Sequence, residues 1–466
     1  MSSDVAHVES ASLTDRALEK QALAGRPVSR WTLIAYGSLA LPLSIAEIPI
    51  VLYLPAFYAK ELGLSAGLVG MVFLAARLWD GLSDVLIGWQ SDRSNSRYGR
   101  RKPWVVVGTP FLMLSLWNLC NPPVGTGLLY LGVWAALFYT AATVVKIPYI
   151  SWGTELATDY TERSRVTAFR EAFTMLGNLF FVTAPLVLLT DEAPLSDVLF
   201  LITIIVLLTA PVAAAFLFFW VKDPPYARRT ETDLRKELAV LIKDPVLIRL
   251  AIIKLLIGIA EGVINSLAVF SFTVGLGLPN KLFIVVFTLY IATLCALPAT
   301  MRLARSVEKH RLLAAGLMIK AAAVGTLLFI QPGDFISVIL IWIIVGVAHP
   351  STIVLPTSML ADTIDHGEVG NGERRSGAYV AVCNLVIKVG LALGVGLSFG
   401  LLDLVNYNPA AADYSAADAQ HIRLLGFGVP CFLWLPAAFL LLRYPITKAV
   451  QQKLRETINT RNRMNY

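Results

Sequence analysis

Apolar residues run through this chain in blocks long enough to cross a bilayer, and polar residues collect between the blocks. A helix of about 20 residues matches the hydrocarbon thickness of a membrane. On that length and on the hydropathy pattern, twelve helices are predicted, numbered here in chain order. They are Trp31–Tyr58, Ser65–Trp89, Trp104–Leu119, Gly127–Tyr149, Val166–Thr190, Leu195–Val221, Val246–Val274, Leu282–Met301, Leu312–Ile330, Phe335–Leu360, Gly377–Leu402 and Ile422–Leu442. A polar stretch after the sixth splits them into two sets. The predicted organisation is an N-terminal arm over 1–30, a six-helix bundle over 31–221, a linker over 222–245, a second six-helix bundle over 246–443 and a basic tail over 444–466. Leu234, Leu238 and Leu241 lie at helical spacing between Thr230 and Pro245, so a short helix is expected in the linker. The tail interleaves Val450, Leu454 and Ile458 with Lys448, Lys453 and Arg455, the pattern of an amphipathic helix on a membrane surface.

Composition fixes the class. With 56% hydrophobic and 15% charged residues, and a mean hydropathy of +0.66, this is an all-α integral membrane protein. Residues 1–30 are polar and of mixed charge, without the pattern of a cleaved signal, and are expected to be a cytoplasmic arm. The loops after even-numbered helices concentrate bases, including Arg93, Arg97, Arg100, Arg101, Lys102, Arg302, Arg305, Arg374 and Arg375. The loops after odd-numbered helices hold Asp191, Glu192, Asp334, Asp413 and Asp418 instead. Retained cytoplasmic loops carry the Lys/Arg excess, so both termini are expected on the cytoplasmic side of an inner, multi-pass cell membrane.

The same asymmetry accounts for the net charge of +7. Its expected partner is the anionic surface of the lipid bilayer, and no basic groove with interleaved aromatics points to nucleic acid. The four cysteines have no metal-like spacing, and no catalytic triad or phosphate loop appears. No enzyme, no metal and no cofactor is expected, and a monomer is.

Charged residues inside the apolar blocks carry the candidate chemistry, because an ion in hydrocarbon costs several kcal/mol unless a cation, proton or water meets it. Asp80 and Asp84 are four residues apart on helix 2, one face and roughly 6 Å of rise, with Arg77 a turn before. Helix 1 holds Ser44 and Glu47; helix 4 holds Lys146 before Ile147-Pro148-Tyr149; helix 5 holds Arg170, Glu171 and Asn178. Helix 7 holds Lys254, Glu261 and Asn265, and helix 11 holds Asn384 and Lys388. Lys320 reads as a base that snorkels to the surface, His349 as a packing residue beside a kink, and Glu261 as a neutraliser of some neighbouring base. Polar groups on several helices of a two-bundle chain can converge on one midplane cavity, which is the pattern of a secondary transporter.

Three stretches together resemble the glycoside-pentoside-hexuronide:cation symporter family of the major facilitator superfamily. They are Asp80 to Asp84 with the loop Gly88-x-x-x-Asp92-Arg93 to Gly99-Arg100-Arg101-Lys102-Pro103, the Lys146-Ile-Pro-Tyr segment, and Asp362-x-x-Asp365-x-Gly367-Glu368 followed by Arg374 and Arg375. The resemblance covers roughly residues 31 to 443 and implies a twelve-helix major facilitator fold. It implies that Asp80 and Asp84 bind the coupling cation, H+ or Na+, with Lys388 nearby, and that Arg170 is close to the sugar. Oxygen ligands suit either ion, and a lysine can replace the cation when the site is empty.

Two departures stand out. Where sodium-coupled members have an acid on helix 4, this chain has Lys146, which disfavours Na+ and leaves H+ coupling, or uniport with Lys146 as a tethered cation. Where the family has a sugar-binding aspartate on helix 1, the chain has Ser44, with Glu47 a turn later. The expected substrate is a sugar, glycoside or sugar acid, bound by Ser44, Glu47, Arg170, Glu171 and Asn384. The bases favour a sugar acid unless Asp80, Asp84, Glu47 and Glu171 neutralise them. A carrier of lysolipids is the alternative within the same superfamily. Asp92, Arg93, Arg100, Arg101, Asp362, Asp365, Glu368, Arg374 and Arg375 are expected to pair between helix ends and to gate the cytoplasmic side.

Overall fold

The computed structural model describes residues 28–464 other than 95, 97–98, 157–159, 190–192, 223–243, 280, 372–375, 406 and 408–413. Most of the N-terminal arm, the expected linker helix, and Arg374 and Arg375 lie outside the described residues.

The described residues form helices at all twelve expected places, and no strand occurs among them. Helix 1 is broken into Arg30–Ser38, Ala40–Leu52 and Leu54–Lys60, with Pro49 inside the middle piece and Pro55 opening the last. A proline inside a helix removes a backbone donor and crowds the preceding turn, so the break after Leu52 follows from the sequence. The rest are Ala66–Arg93, Lys102–Cys120, Leu128–Glu155, Tyr160–Leu188, Leu195–Trp220, Pro245–Phe270, Leu282–Ser306, Lys309–Thr326, Phe335–Asn371, Ser376–Leu404 and, for helix 12, Ala416–Arg423 with Val429–Leu442. Single π-helical stretches, Ser271–Gly275 and Leu424–Gly428, extend helix 7 and join the two pieces of helix 12. Among the described residues, ten helices are long and apolar enough to cross a membrane. Helices 7 and 9 pack against helices of the second half, and the amphipathic tail helix, Lys448–Met464, packs on helix 10.

Several helices outrun their predicted ends. Helix 2 continues to Arg93, helix 4 to Glu155 and helix 10 to Asn371. Hydropathy falls where a chain leaves hydrocarbon, but the i to i−4 ladder continues as long as no proline or glycine stops it. Asp362, Asp365 and Glu368 therefore sit on the last turns of helix 10.

Helix 2 shows why these segments belong in a membrane. Leu78, Trp79, Leu82, Leu86 and Trp89 are 42 to 53% exposed and share one face, an apolar surface turned outward. Asp80 and Ser83 are buried on the other side. This is the reverse of a soluble helix and matches a lipid-facing stripe around a polar interior.

The halves meet where helix 2 packs on helix 11, helix 5 on helix 8, and helix 1 on helix 7. Within the second half, helix 11 also packs closely on helix 7. Gly258 and Gly262 face Gly390 and Gly394, and a methyl group built on Gly262 would lie 2.5 Å from the Leu391 carbonyl oxygen. Only small residues permit that approach, the usual means of helix association in lipid. At the end away from the chain termini, Tyr53 stands 5.4 Å from Phe283 and 5.9 Å from Phe181, ring centre to ring centre, joining helices 1, 8 and 5. Gly67 and Gly70 let helix 2 close on Asp403 and Phe399 of helix 11 at the same end.

Candidate functional site

The central polar groups lie midway along helices 1, 2, 4 and 11, where the two halves face each other. Lys388 of helix 11 reaches across the interface to both helix 2 carboxylates. Its Nζ is 2.9 Å from Asp80 Oδ2 and 2.5 Å from Asp84 Oδ2. Asp80 also has Arg77 Nη1 at 3.8 Å. The four-residue spacing makes this bridge possible, since it stacks the two carboxylates on one helix face.

Thr143 of helix 4 closes the group from the other side. Its hydroxyl lies 3.0 Å from Asp84 Oδ1 and 3.2 Å from Asp80 Oδ1, and one proton serves one of these at a time. Ser83 Oγ donates to the Asp80 carbonyl and sits 3.3 Å from Thr143 Oγ1. Two carboxylates, two hydroxyls and one ammonium thus form a compact oxygen-rich cluster. Thr143 escaped the sequence reading; the one signal for it is its place a turn before Lys146 on the same helix.

Lys146 does not join that cluster. Its Nζ donates to both oxygens of Glu47, at 2.6 and 2.8 Å. The ammonium that touches Asp80 and Asp84 belongs to Lys388, which corrects the expectation that Lys146 is the tethered cation there. The side chains of Lys146 and Glu47 are 43 and 40% exposed although both sit mid-helix, so they line an open central space.

Arg170 and Glu171 pair with each other, Nη2 to Oε1 at 2.6 Å. Arg170 lies beside Tyr36, whose ring stacks on Tyr149 at 4.6 Å. Tyr36 and Tyr149 each donate to the other's carbonyl and fasten helix 1 to helix 4. Ser44 does not reach the central space. It is buried, donates back to the Leu41 carbonyl and packs where Gly177 of helix 5 leaves room for it. Asn384 is exposed one turn before Lys388.

Lys320 is the clearest correction. It does not snorkel; it is 2% exposed and its Nζ lies 2.5 Å from Glu261 Oε1. Glu261 is therefore the neutraliser of a base, and the base is on helix 9.

Three of the expected gating residues have a contact within their own half. Arg93 stacks over Trp89 at 4.1 Å, buried Arg101 donates to Ser91 Oγ at 3.0 Å, and Asp362 accepts from Lys309 at 2.6 Å. Arg100 lies in the loop after helix 2, and Asp365 and Glu368 lie on helix 10 near its end. Asp92 is on the last turn of helix 2, with its side chain outside the described residues.

Two six-helix bundles enclosing a polar midplane cluster define a membrane carrier. The chain belongs to the MFS/sugar transport protein family, whose model matches residues 35–448. It is 28% identical to the inner membrane symporter YicJ of Escherichia coli (strain K12), over 85% of this chain and 87% of that protein. It is 25% identical to the isoprimeverose transporter of Lactiplantibacillus pentosus, over 85% of this chain and 84% of that protein. The crystal structure of a D-xylose-proton symporter superposes with a TM-score of 0.65 at 12% identity, covering 89% of this chain and 97% of the other, which establishes the shared fold. The resemblance to glycoside:cation symporters stands.

Proposed function

We propose that this carrier moves a neutral sugar or glycoside across the cell membrane in symport with a monovalent cation, and that the cation binds at Asp80 and Asp84. The observation that carries the proposal is Lys388 itself, an ammonium held by both carboxylates at the place a coupling ion would occupy. Because Asp80 and Asp84 belong to the first half and Lys388 to the second, this contact also ties the two bundles together. A cation arriving at the carboxylates repels Lys388 and weakens that tie, so ion binding is linked to rocking of the bundles. Substrate bound in the same central space then travels with the ion.

Charge balance favours a neutral substrate over a sugar acid. Lys388 and Arg77 face Asp80 and Asp84, Lys146 faces Glu47, and Arg170 faces Glu171. No base among these is left without a carboxylate to attract an anion. Glu47, Lys146, Arg170 and Glu171 offer donors and acceptors to sugar hydroxyls, and the Tyr36–Tyr149 stack lies beside them. H+ leads as the coupling ion. Withdrawal of Lys146 toward Glu47 keeps Na+ in contention, since the oxygens of Asp80, Asp84 and Thr143 suit a hard cation. The contacts at the end away from the termini support an inward-facing state.

The test is uptake of labelled sugars, sugar acids and lysolipids into liposomes holding the purified protein, under separately imposed H+ and Na+ gradients. Accumulation of a neutral sugar driven by one gradient supports the reading. Movement of sugar acids or lysolipids alone, with neutral sugars excluded, contradicts it.

A further inference from the structure

A second group of ionisable side chains lies wholly inside the C-terminal half, apart from the helix 2 cluster. Lys320 of helix 9 is held from three sides: Glu261 Oε1 of helix 7 at 2.5 Å, His349 Nδ1 of helix 10 at 3.4 Å, and the face of Trp434 of helix 12 at 4.5 Å. An ammonium has only donors, so the His349 Nδ1 turned toward it presents a lone pair. The indole face adds a cation–π contact.

A pair this deep is expensive. An apolar pair of similar volume would commonly be as stable or more so, which makes a retained buried Glu–Lys pair a pointer to function in a membrane. Exposure divides the roles. The Glu261 side chain is 23% exposed and that of Lys320 is 2%, so an approaching ion meets the carboxylate and not the ammonium. The cage around Lys320 is also redundant. If Glu261 becomes neutral, the ammonium still has the His349 lone pair and the Trp434 face.

We propose that Glu261 is a second proton-binding site of this carrier, with Lys320, His349 and Trp434 arranged to hold the ammonium while the carboxyl is protonated. The proton adds to a Glu261 carboxylate oxygen, the Glu261–Lys320 ion pair becomes a neutral carboxyl beside an ammonium, and the site gains one positive charge. The other elements around helix 7 bring no second carboxylate to it among the described residues. Helix 8 contributes Tyr290, helix 1 contributes Tyr53 beside Phe283, and helix 11 turns Lys388 to Asp80 and Asp84. Lys254, further along helix 7, lies beside Cys383. Helix 12 sends Arg423 to the backbone carbonyls of Gly275 and Ile330. The site is thus spatially separate from the helix 2 carboxylates. Its role in coupling rests on the transport reading, but its occupancy does not.

The experiment is pH-difference infrared spectroscopy of the full-length protein in lipid, following the C=O stretch of protonated carboxyls. Acidification is expected to produce a band in the wild type and in Asp84→Asn that is absent from Glu261→Gln. His349→Ala removes one alternative partner of Lys320 and is expected to shift the band to lower pH by about one unit, the worth of one hydrogen bond. Because Glu261→Gln leaves Lys320 without a counter-charge, the double variant Glu261→Gln/Lys320→Met is the folding control and is also expected to lack the band. A spectrum in which either Glu261 variant keeps every band of the wild type overturns the proposal, as does loss of the Glu261-dependent band in Asp84→Asn or a wild type with no band. A wild type that shows the band yet carries no sugar refutes the transport reading and leaves this site in place.

Discussion

Lys388 Nζ lies 2.5 Å from Asp84 Oδ2, and this contact joins the two halves of the carrier at mid-membrane. In the proposed reading an ammonium and a coupling cation exclude each other from these carboxylates, so the site becomes a choice between a tethered charge and a mobile one. A carboxylate pair that always finds a cation is never left as bare charge in a medium where that is costly.

Glu47 and Lys146 form a comparable pair, and they sit in the same half. Glu47→Gln or Lys146→Met alone leaves one charge without its partner beside the central space and is expected to lower transport at least tenfold. The double variant, which removes both charges, is expected to recover part of that loss. The pair is about two-fifths exposed, so solvent screening keeps the stability cost of either single change small. Initial uptake rates of the three variants measure the coupling, and strictly additive losses would contradict it.

The glycine contact between helices 7 and 11 sets the position of Lys388. Gly262→Ala places a methyl group against the Leu391 carbonyl and is expected to destabilise the protein by about 1–3 kcal/mol through forced separation of the helices. Gly400 has open space around its Cβ position, so Gly400→Ala is the matched control and is expected to leave stability unchanged. Thermal unfolding in detergent compares the two; equal midpoints would contradict the packing account.

Outside the membrane, Asp334 caps the start of helix 10 by accepting from the Ser337 N–H at 3.1 Å and the Ser337 hydroxyl at 2.5 Å. These two hydrogen bonds hold its carboxyl below the ordinary range. The sign follows from linkage: a lowered carboxyl stabilises the fold above its unfolded value, and the gain disappears as pH falls through the lowered one. Asp334→Ala is therefore expected to melt below the wild type at neutral pH, with the gap narrowing below about pH 4. A gap of constant size across that range would contradict the cap's charge dependence.

The sequence made the acidic pair and Lys388 visible because charge within hydrocarbon is rare and costly enough to need a reason. Hydropathy also located all twelve helices. Other features depend on packing that no single stretch encodes. Thr143 resembles any membrane-helix threonine, since a hydroxyl can satisfy itself on a preceding carbonyl, and only the approach of helix 2 turns it toward Asp80 and Asp84. Lys320 has a stem long enough to snorkel, and the contacts of helix 9 with helices 10 and 12, which bring Glu261 within reach, decide otherwise. The family resemblance puts Lys146 beside the helix 2 carboxylates, yet Glu47 is the acid it meets. Hydropathy does not mark the helix ends, because the backbone ladder continues past the last apolar residue.

Sugar accumulation against its own gradient is the most direct test of cation coupling at Asp80 and Asp84. Wild-type and Asp84→Asn protein in liposomes would be given a labelled neutral sugar with an imposed cation gradient, and then, separately, with equal sugar on both sides to read exchange. The predicted result is gradient-driven accumulation by the wild type, and exchange without accumulation by Asp84→Asn. Accumulation by Asp84→Asn equal to that of the wild type would contradict the assignment of the coupling ion to this site.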